Sequence, residues 1–318
     1  MIIIDVIKKR ARRFSLPPLT VGLAWCFLAF MTAYLLKCPQ RASKSAADAL
    51  TVCAKRLVPS LFPFIVVNSL ICKSGLSSAA AILIGRPFER LTGLPGAGAA
   101  AFLLGSAGGF PVGAVTAREL YDRGELTADE AARLIAFSNN AGLAFCVGGI
   151  GSALYDSLLV GWKLWCFQLI PAILIALITA DRKRKPAAPA YRRIDYPRRG
   201  GLMKLLADSV AGSALTMLKI CAFAVFFAVI GDILTGFFTG AAGALSASLC
   251  ELTLASRLCA ELGETGLPIC AFAVGFAGMS VHAQVAAVLS DSGIPMRRYF
   301  LSKLAQGLTA ALLTALFC

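Results

Sequence analysis

Long apolar runs separated by short polar stretches dominate the chain. Six runs approach the roughly 17–25 residues that a helix needs to cross a bilayer. They are 20–36, 57–72, 134–154, 158–180, 214–234 and 299–317. Other apolar stretches are short or interrupted. The stretch 241–262 carries Glu251, Arg257 and Glu261, and the glycine-rich stretches around Gly105 and Gly275 break in their middles. Residues 42–56 set Lys44, Asp48, Lys55 and Arg56 among alanines, the pattern of an amphipathic helix lying at the membrane interface. Residues 181–201 are polar and hold Pro186, Pro189 and Pro197, which predicts a loop. The pattern predicts an all-α polytopic membrane protein of about six full spans plus interfacial helices.

The two sides of that loop resemble each other. Thr92-Gly93-Leu94-Pro95 precedes Ala101-Phe102-x-x-Gly105-x-Ala107-Gly108, and Thr265-Gly266-Leu267-Pro268 precedes Ala271-Phe272-x-x-Gly275-x-Ala277-Gly278. The organisation read from this is a signal-anchor helix with an interfacial segment over 1–56, a first repeat over 57–180, a basic cytoplasmic loop over 181–204 and a second repeat over 205–318. Three of the spans lie between the two glycine-rich motifs. An odd number of crossings puts the motifs on opposite sides, so the expected architecture is an inverted repeat with two broken-helix or re-entrant hairpin motifs, a common build of transporters.

Composition agrees with lipid as the solvent. Hydrophobic types make up 58% of the 318 residues and charged types 15%. Soluble domains need about 25% charged residues to cover a core. The net charge is +14, from 31 Lys and Arg against 17 Asp and Glu. Nucleic acid is excluded as the reason, because the charge sits in two blocks flanking apolar runs: Lys8 to Arg13, and Arg182 to Arg199 followed by Lys204. This is the mark of cytoplasmic loops facing an anionic leaflet. Eleven cysteines are scattered with no C-x-x-C pair, which points neither to a disulfide framework nor to a metal site.

The candidate chemistry lies in the interrupted stretches. Gly105-Ser106-Ala107-Gly108-Gly109-Phe110-Pro111-Val112-Gly113 combines residues that leave a helix easily with one that lacks a backbone donor. In hydrocarbon, freed backbone groups are tolerated only where protein or water satisfies them, so such a break is expected to line a cavity. Its helix N-terminus suits an anionic or polar solute. The counterpart, Gly275 to Gln284, adds Ser280, Gln284 and the chain's single histidine, His282. Ser138-Asn139-Asn140 and Glu251 are further polar groups in apolar surroundings, expected to bind solute or to join helices. Asp122 to Arg133 reads as a solvated turn at Gly124 followed by a helix capped by Thr127 and Glu130. The candidate binding set is Ser106, Gly108, Gly109, Asn139, Asn140, Glu251, Ser280, His282 and Gln284. No nucleotide-binding loop, zinc motif or nucleophile elbow occurs, so neither an enzyme nor a cofactor is expected.

Several of these motifs resemble one family. Leu61-Phe62-Pro63-Phe64, Gly105-x-x-Gly108-Gly109-Phe110-Pro111-x-Gly113, Leu126-Thr127-x-x-Glu130-Ala131, Ser138-Asn139-Asn140, Glu251-Leu252-Thr253 and Gly278-x-Ser280-x-His282-x-Gln284 are similar to the sporulation integral membrane proteins with nucleoside-recognition (Gate) domains. The likeness runs from about Leu57 onward. Ala141-Gly142 departs from it, where a proline-containing continuation is expected. The resemblance implies a multi-pass protein of the mother-cell or forespore membrane that moves a small solute, with dipicolinate the candidate and nucleoside-like solutes the other. The expected function is a transporter or facilitator of a small polar or anionic solute, with the lipid bilayer as surroundings, no nucleic-acid partner and a homo-oligomer in scope. The alternative is a non-transporting membrane scaffold for sporulation proteins.

Overall fold

A computed structural model describes residues 18–74, 76–181 and 201–318. Both basic blocks, Lys204 aside, lie outside the described residues. Every regular element among the described residues is helical. Two compact units are present, Met1–Ser45 and Ala46–Cys318. The first contains α1 (Pro18–Lys37) and the start of α2 (Pro39–Val52). Apolar side chains of α1 such as Trp25 are exposed, the surface of a helix meant to face lipid.

The second unit holds both expected halves. A π-helical turn, Cys53–Leu57, leads from α2 into α3 (Val58–Lys73), followed by α4 (Leu76–Thr92). Next come two short helices, α5 (Gly98–Gly108) and α6 (Val112–Asp122), then α7 (Ala128–Ser138), the π-helical α8 (Phe145–Ser152) and α9 (Leu158–Ile178). The second half runs α10 (Gly201–Thr235), α11 (Gly240–Cys250), α12 (Leu252–Glu261), α13 (Leu267–Phe276), α14 (Gly278–Val288) and α15 (Arg297–Phe317). The expected cap of α7 is present as a complete capping box. Thr127 Oγ1 accepts from the Glu130 N–H at 3.3 Å, and Glu130 Oε2 accepts from the Thr127 N–H at 2.9 Å.

Four stretches among the described residues are long and apolar enough to cross a membrane: Leu158–Ile178, Gly201–Thr235, Gly263–Val288 and Arg297–Phe317. Large apolar residues on α9, α10 and α15, including Ile178, Leu218 and Leu312, are exposed, while polar side chains are buried among the same helices. Polar groups inside and apolar groups outside is the arrangement that a hydrocarbon solvent selects.

Two expectations need correction. The run 134–154 is not one span: α7 ends at Ser138, Asn139 to Gly142 lack helical structure, and the chain re-enters a helix before Phe145. The apolar pattern continues through the break and hides it. Helix α10 has 35 residues and begins at Gly201, so the basic loop ends before 204 and the span is longer than 214–234. Alternation of Leu202, Met203 and Leu206 with Lys204 and Asp208 carries the helix upstream of the apolar run.

The halves share an order of elements. Apart from α4, which stands between α3 and the first hairpin, a long helix (α3 or α10) is followed by a hairpin of two short helices packed on each other (α5–α6 or α11–α12), a discontinuous helix (α7–α8 or α13–α14) and a closing long helix (α9 or α15). The stretch 241–262 is therefore the second hairpin, bent at Glu251, and the Gly275–Gln284 motif belongs to a discontinuous helix. This differs from the register of the sequence match, which pairs α5 with α13. The physical reason is local. Gly105 lies against the Gly113 backbone and Gly275 against the Gly307 backbone, so both helices need the same small residues for close packing although they hold different places in the fold.

Candidate functional site

Each hairpin tip rests on the break of its own discontinuous helix. At the first tip Gly109 has φ 91°, and a Cβ there would lie 2.8 Å from the Gly142 nitrogen. Only glycine fits both conditions. In the second half the relation recurs with the glycine on the other partner. Gly278 has φ 68°, and a Cβ on it would lie 3.0 Å from the Cys250 carbonyl, at the tip of the second hairpin. Ala277, just before it, also takes a left-handed conformation at φ 75°.

Side chains satisfy the backbone that the first break frees. Gln168 on α9 donates from Nε2 to the Ala141 carbonyl at 2.8 Å and accepts the Ala141 N–H on Oε1 at 3.0 Å. Trp165 Nε1 donates to the Ser106 carbonyl at 3.2 Å. Behind these lies a buried polar network. Asn140 Nδ2 donates to Ser106 Oγ at 3.2 Å and to the Phe137 carbonyl at 2.9 Å. Asn140 Oδ1 accepts from Gln306 Nε2 at 2.8 Å and from Lys303 Nζ at 3.2 Å. Lys303 Nζ also donates to Gln306 Oε1 at 2.6 Å and sits 5.2 Å from the centre of the Phe110 ring. Lys303, Gln306, Asn140 and Gln168 are all fully buried.

Asn139 turns to a different partner. Its Nδ2 donates to the Tyr299 hydroxyl at 3.0 Å, and the Tyr299 ring stands edge-on to His282 with centroids 5.1 Å apart. His282 is enclosed by Phe276, Tyr299 and Phe300. Neither ring nitrogen makes a well-formed hydrogen bond, and the Phe276 carbonyl is only a loose backbone contact. Ser138 Oγ and Asn139 Oδ1 also have no protein partner. These unmatched atoms share one neighbourhood, along the first break and the face of α15.

The remaining expected residues have partners of their own. Glu251 caps α12, accepting the Thr253 N–H at 2.9 Å and the Leu254 N–H at 2.7 Å. A carboxylate already holding that helix N-terminus leaves it unsuited to an anion. Ser280 and Gln284 bond to each other across one turn of α14, Nε2 to Oγ at 3.3 Å.

Two cavities flank this core. One, of about 320 Å³, is bounded by α6, α10 and α14. Pro111 and Gln284 line it, with Arg118, Glu119, Asp122 and Lys219. The other, of about 300 Å³, lies between the turn before α3, α8 and α12. It is mostly apolar, with Thr253 and Ser256 as its polar lining. The elements correspond: each cavity lies between the second arm of one hairpin, the second piece of the other half's discontinuous helix and the region around the opening long helix.

No family model and no solved structure matches the chain. It is 27% identical to the sporulation integral membrane protein YlbJ of Bacillus subtilis (strain 168), in an alignment of 330 residues that covers 91% of this chain and 81% of that protein. Over most of its length the chain is thus similar to a sporulation integral membrane protein. The resemblance read from the motifs is borne out at that level, and with it an integral, multi-pass membrane protein. The likeness to Gate domains rests on the quoted motifs alone.

Four residues of the buried network are absent from the candidate set: Gln168, Tyr299, Lys303 and Gln306. A signal for three of them exists. Tyr299, Lys303 and Gln306 recur at i, i+4 and i+7, one face of a helix in an otherwise apolar run. An ionisable residue inside such a run is a functional candidate by itself. Gln168 carries no signal beyond being polar within a span. Its role depends on Ala141, which only the tertiary structure brings to it.

Proposed function

We propose that the protein is a carrier or facilitator of a small polar or anionic solute in the membranes of a sporulating bacterium, with a dipicolinate-like dicarboxylate as the leading solute. The observation that carries this reading is the repeated pairing of a hairpin tip with a helix break, each pair flanked by a cavity. Backbone breaks inside an apolar protein are costly unless protein groups or a polar path satisfy them. Here they recur at matching places in the two halves. Three crossings separate the hairpins, α7–α8, α9 and α10, and that odd number favours an inverted relation between the halves. In such a design one half moves against the other and opens the two cavities in turn.

Ser106, Asn139, Asn140, Ser280, His282 and Gln284 remain the proposed solute contacts. The unmatched Asn139 Oδ1 and the weakly bonded His282 ring support the assignment of those two. Gln284 is supported by its position on the cavity wall beside Pro111. Gly108 and Gly109 are proposed to bring backbone close to the solute, and Glu251 to hold the second tip in shape.

Flux into proteoliposomes, measured with a panel of dicarboxylates, monocarboxylates and nucleosides, tests the proposal. Saturable flux of at least one solute is expected, reduced by Asn139→Ala, His282→Ala and Gln284→Ala. If all three variants match the wild type, the assigned site is wrong. If no solute moves, the scaffold alternative takes over.

A further inference from the structure

The buried side-chain nitrogen of Lys303 has no carboxylate partner among the described residues. Its hydrogen bonds go to two neutral amides, Asn140 at 3.2 Å and Gln306 at 2.6 Å. The ion pairs among the described residues involve other cations, and Lys303 makes no further hydrogen bond. A buried charge is ordinarily paired, because removing it from water is expensive. An ammonium has three N–H donors, and two are used here. The remaining neighbour is the face of the Phe110 ring, a weak stand-in for an anion.

Position gives this charge its meaning. Phe110 forms the tip of the first hairpin, and Pro111, the next residue, lines the charged cavity between α6, α10 and α14. Lys303 therefore stands against the ring of Phe110, the sequence neighbour of a residue that borders the cavity. Asn140, which holds its Nζ, belongs to the helix break on which that tip rests. A solute carboxylate that displaces the ring would stabilise the charged form of Lys303 and take the third N–H that this form carries.

We infer that Lys303 is the residue that selects the charge of the solute, with a solute carboxylate replacing the Phe110 ring at its third N–H. The inference rests on the carrier reading and adds to it a residue absent from the sequence-based site. Asn140 and Gln306 position the ammonium. A neutral side chain at 303 removes the preference for anions without removing the pathway. A carboxylate placed at 140 cancels the charge where it stands.

The test is counterflow into proteoliposomes holding the full chain, with an aromatic dicarboxylate and its uncharged diamide as paired solutes. Wild type is expected to favour the dicarboxylate by at least about tenfold, the scale of one charge-assisted hydrogen bond. Lys303→Gln should bring the two solutes close to equal, while Lys303→Arg keeps the preference. Asn140→Asp should also erase it, and this variant retains the lysine should Lys303→Gln fail to fold. An unchanged ratio in Lys303→Gln or in Asn140→Asp overturns the inference and leaves the carrier reading standing, as does a wild type that moves both solutes equally. A wild type that moves neither solute, nor any other in the wider panel, removes the carrier reading and this inference with it.

Discussion

Gln168 closes both hydrogen bonds on the backbone of Ala141, donating to its carbonyl at 2.8 Å and accepting from its N–H at 3.0 Å. One side-chain amide thus replaces the two helical partners that Ala141 loses where α7 gives way to the break. The fold can hold a discontinuous helix in apolar surroundings because α9 brings a glutamine to the gap.

Replacing Gln168 by leucine keeps the volume and orphans both Ala141 groups. At about 1–3 kcal/mol for each buried group left unsatisfied, the expected loss is roughly 2–6 kcal/mol. Thermal unfolding of the purified protein in detergent should show a clear fall in midpoint, with flux lost alongside it. A midpoint unchanged within error would mean that the break finds other partners.

The hairpin tips can be tested with single methyl groups. Gly109→Ala and Gly278→Ala both meet positive φ and a backbone neighbour at 2.8–3.0 Å. Each should cost about 1–3 kcal/mol from strain alone, and more from the contact. Gly124→Ala is the control, with φ 71° and nothing within 4 Å. It should cost about 1 kcal/mol and leave flux near the wild-type rate. Equal flux loss at all three positions would count against a special role for the tips.

Glu251 separates a structural from a solute-binding role. As the cap of α12 it should tolerate glutamine, which keeps an acceptor oxygen, better than alanine. Glu251→Ala is expected to lose about 0.5–2 kcal/mol of stability, with Glu251→Gln losing less. Flux should follow stability in both. A glutamine variant that is fully stable yet inactive would return Glu251 to the solute path.

The two cavities offer a topological test. A cysteine at Gln284 reports on the charged cavity and one at Thr253 on the apolar cavity. Alternate opening predicts labelling from opposite faces of the membrane by an impermeant thiol reagent, above the background of the native cysteines. Labelling of both from one face would exclude an inverted arrangement of the halves.

Much of the architecture is legible in the sequence, and the limits have physical causes. The apolar runs mark α1, α3, α9, α10 and α15, because a membrane helix must be apolar over its whole length. The Thr127–Glu130 cap is legible because both partners lie within four residues. The break at Asn139–Gly142 is not, since apolar flanks continue the pattern on both sides and Gln168 supplies the compensation from another helix. The internal match is real as sequence yet misleads about register. Gly105 and Gly275 answer the same packing need in elements that occupy different positions.

The sequence alone determined that this is a membrane protein, where its long apolar runs lie and that polar groups are set into apolar surroundings, because hydrophobicity is a local property. Only the tertiary structure decided which break meets which hairpin tip, and that Lys303 stands beside Asn140 with neutral partners. Those relations join residues up to 163 positions apart. A polar group buried far from water takes whatever partner the packing brings, and no local pattern records that choice.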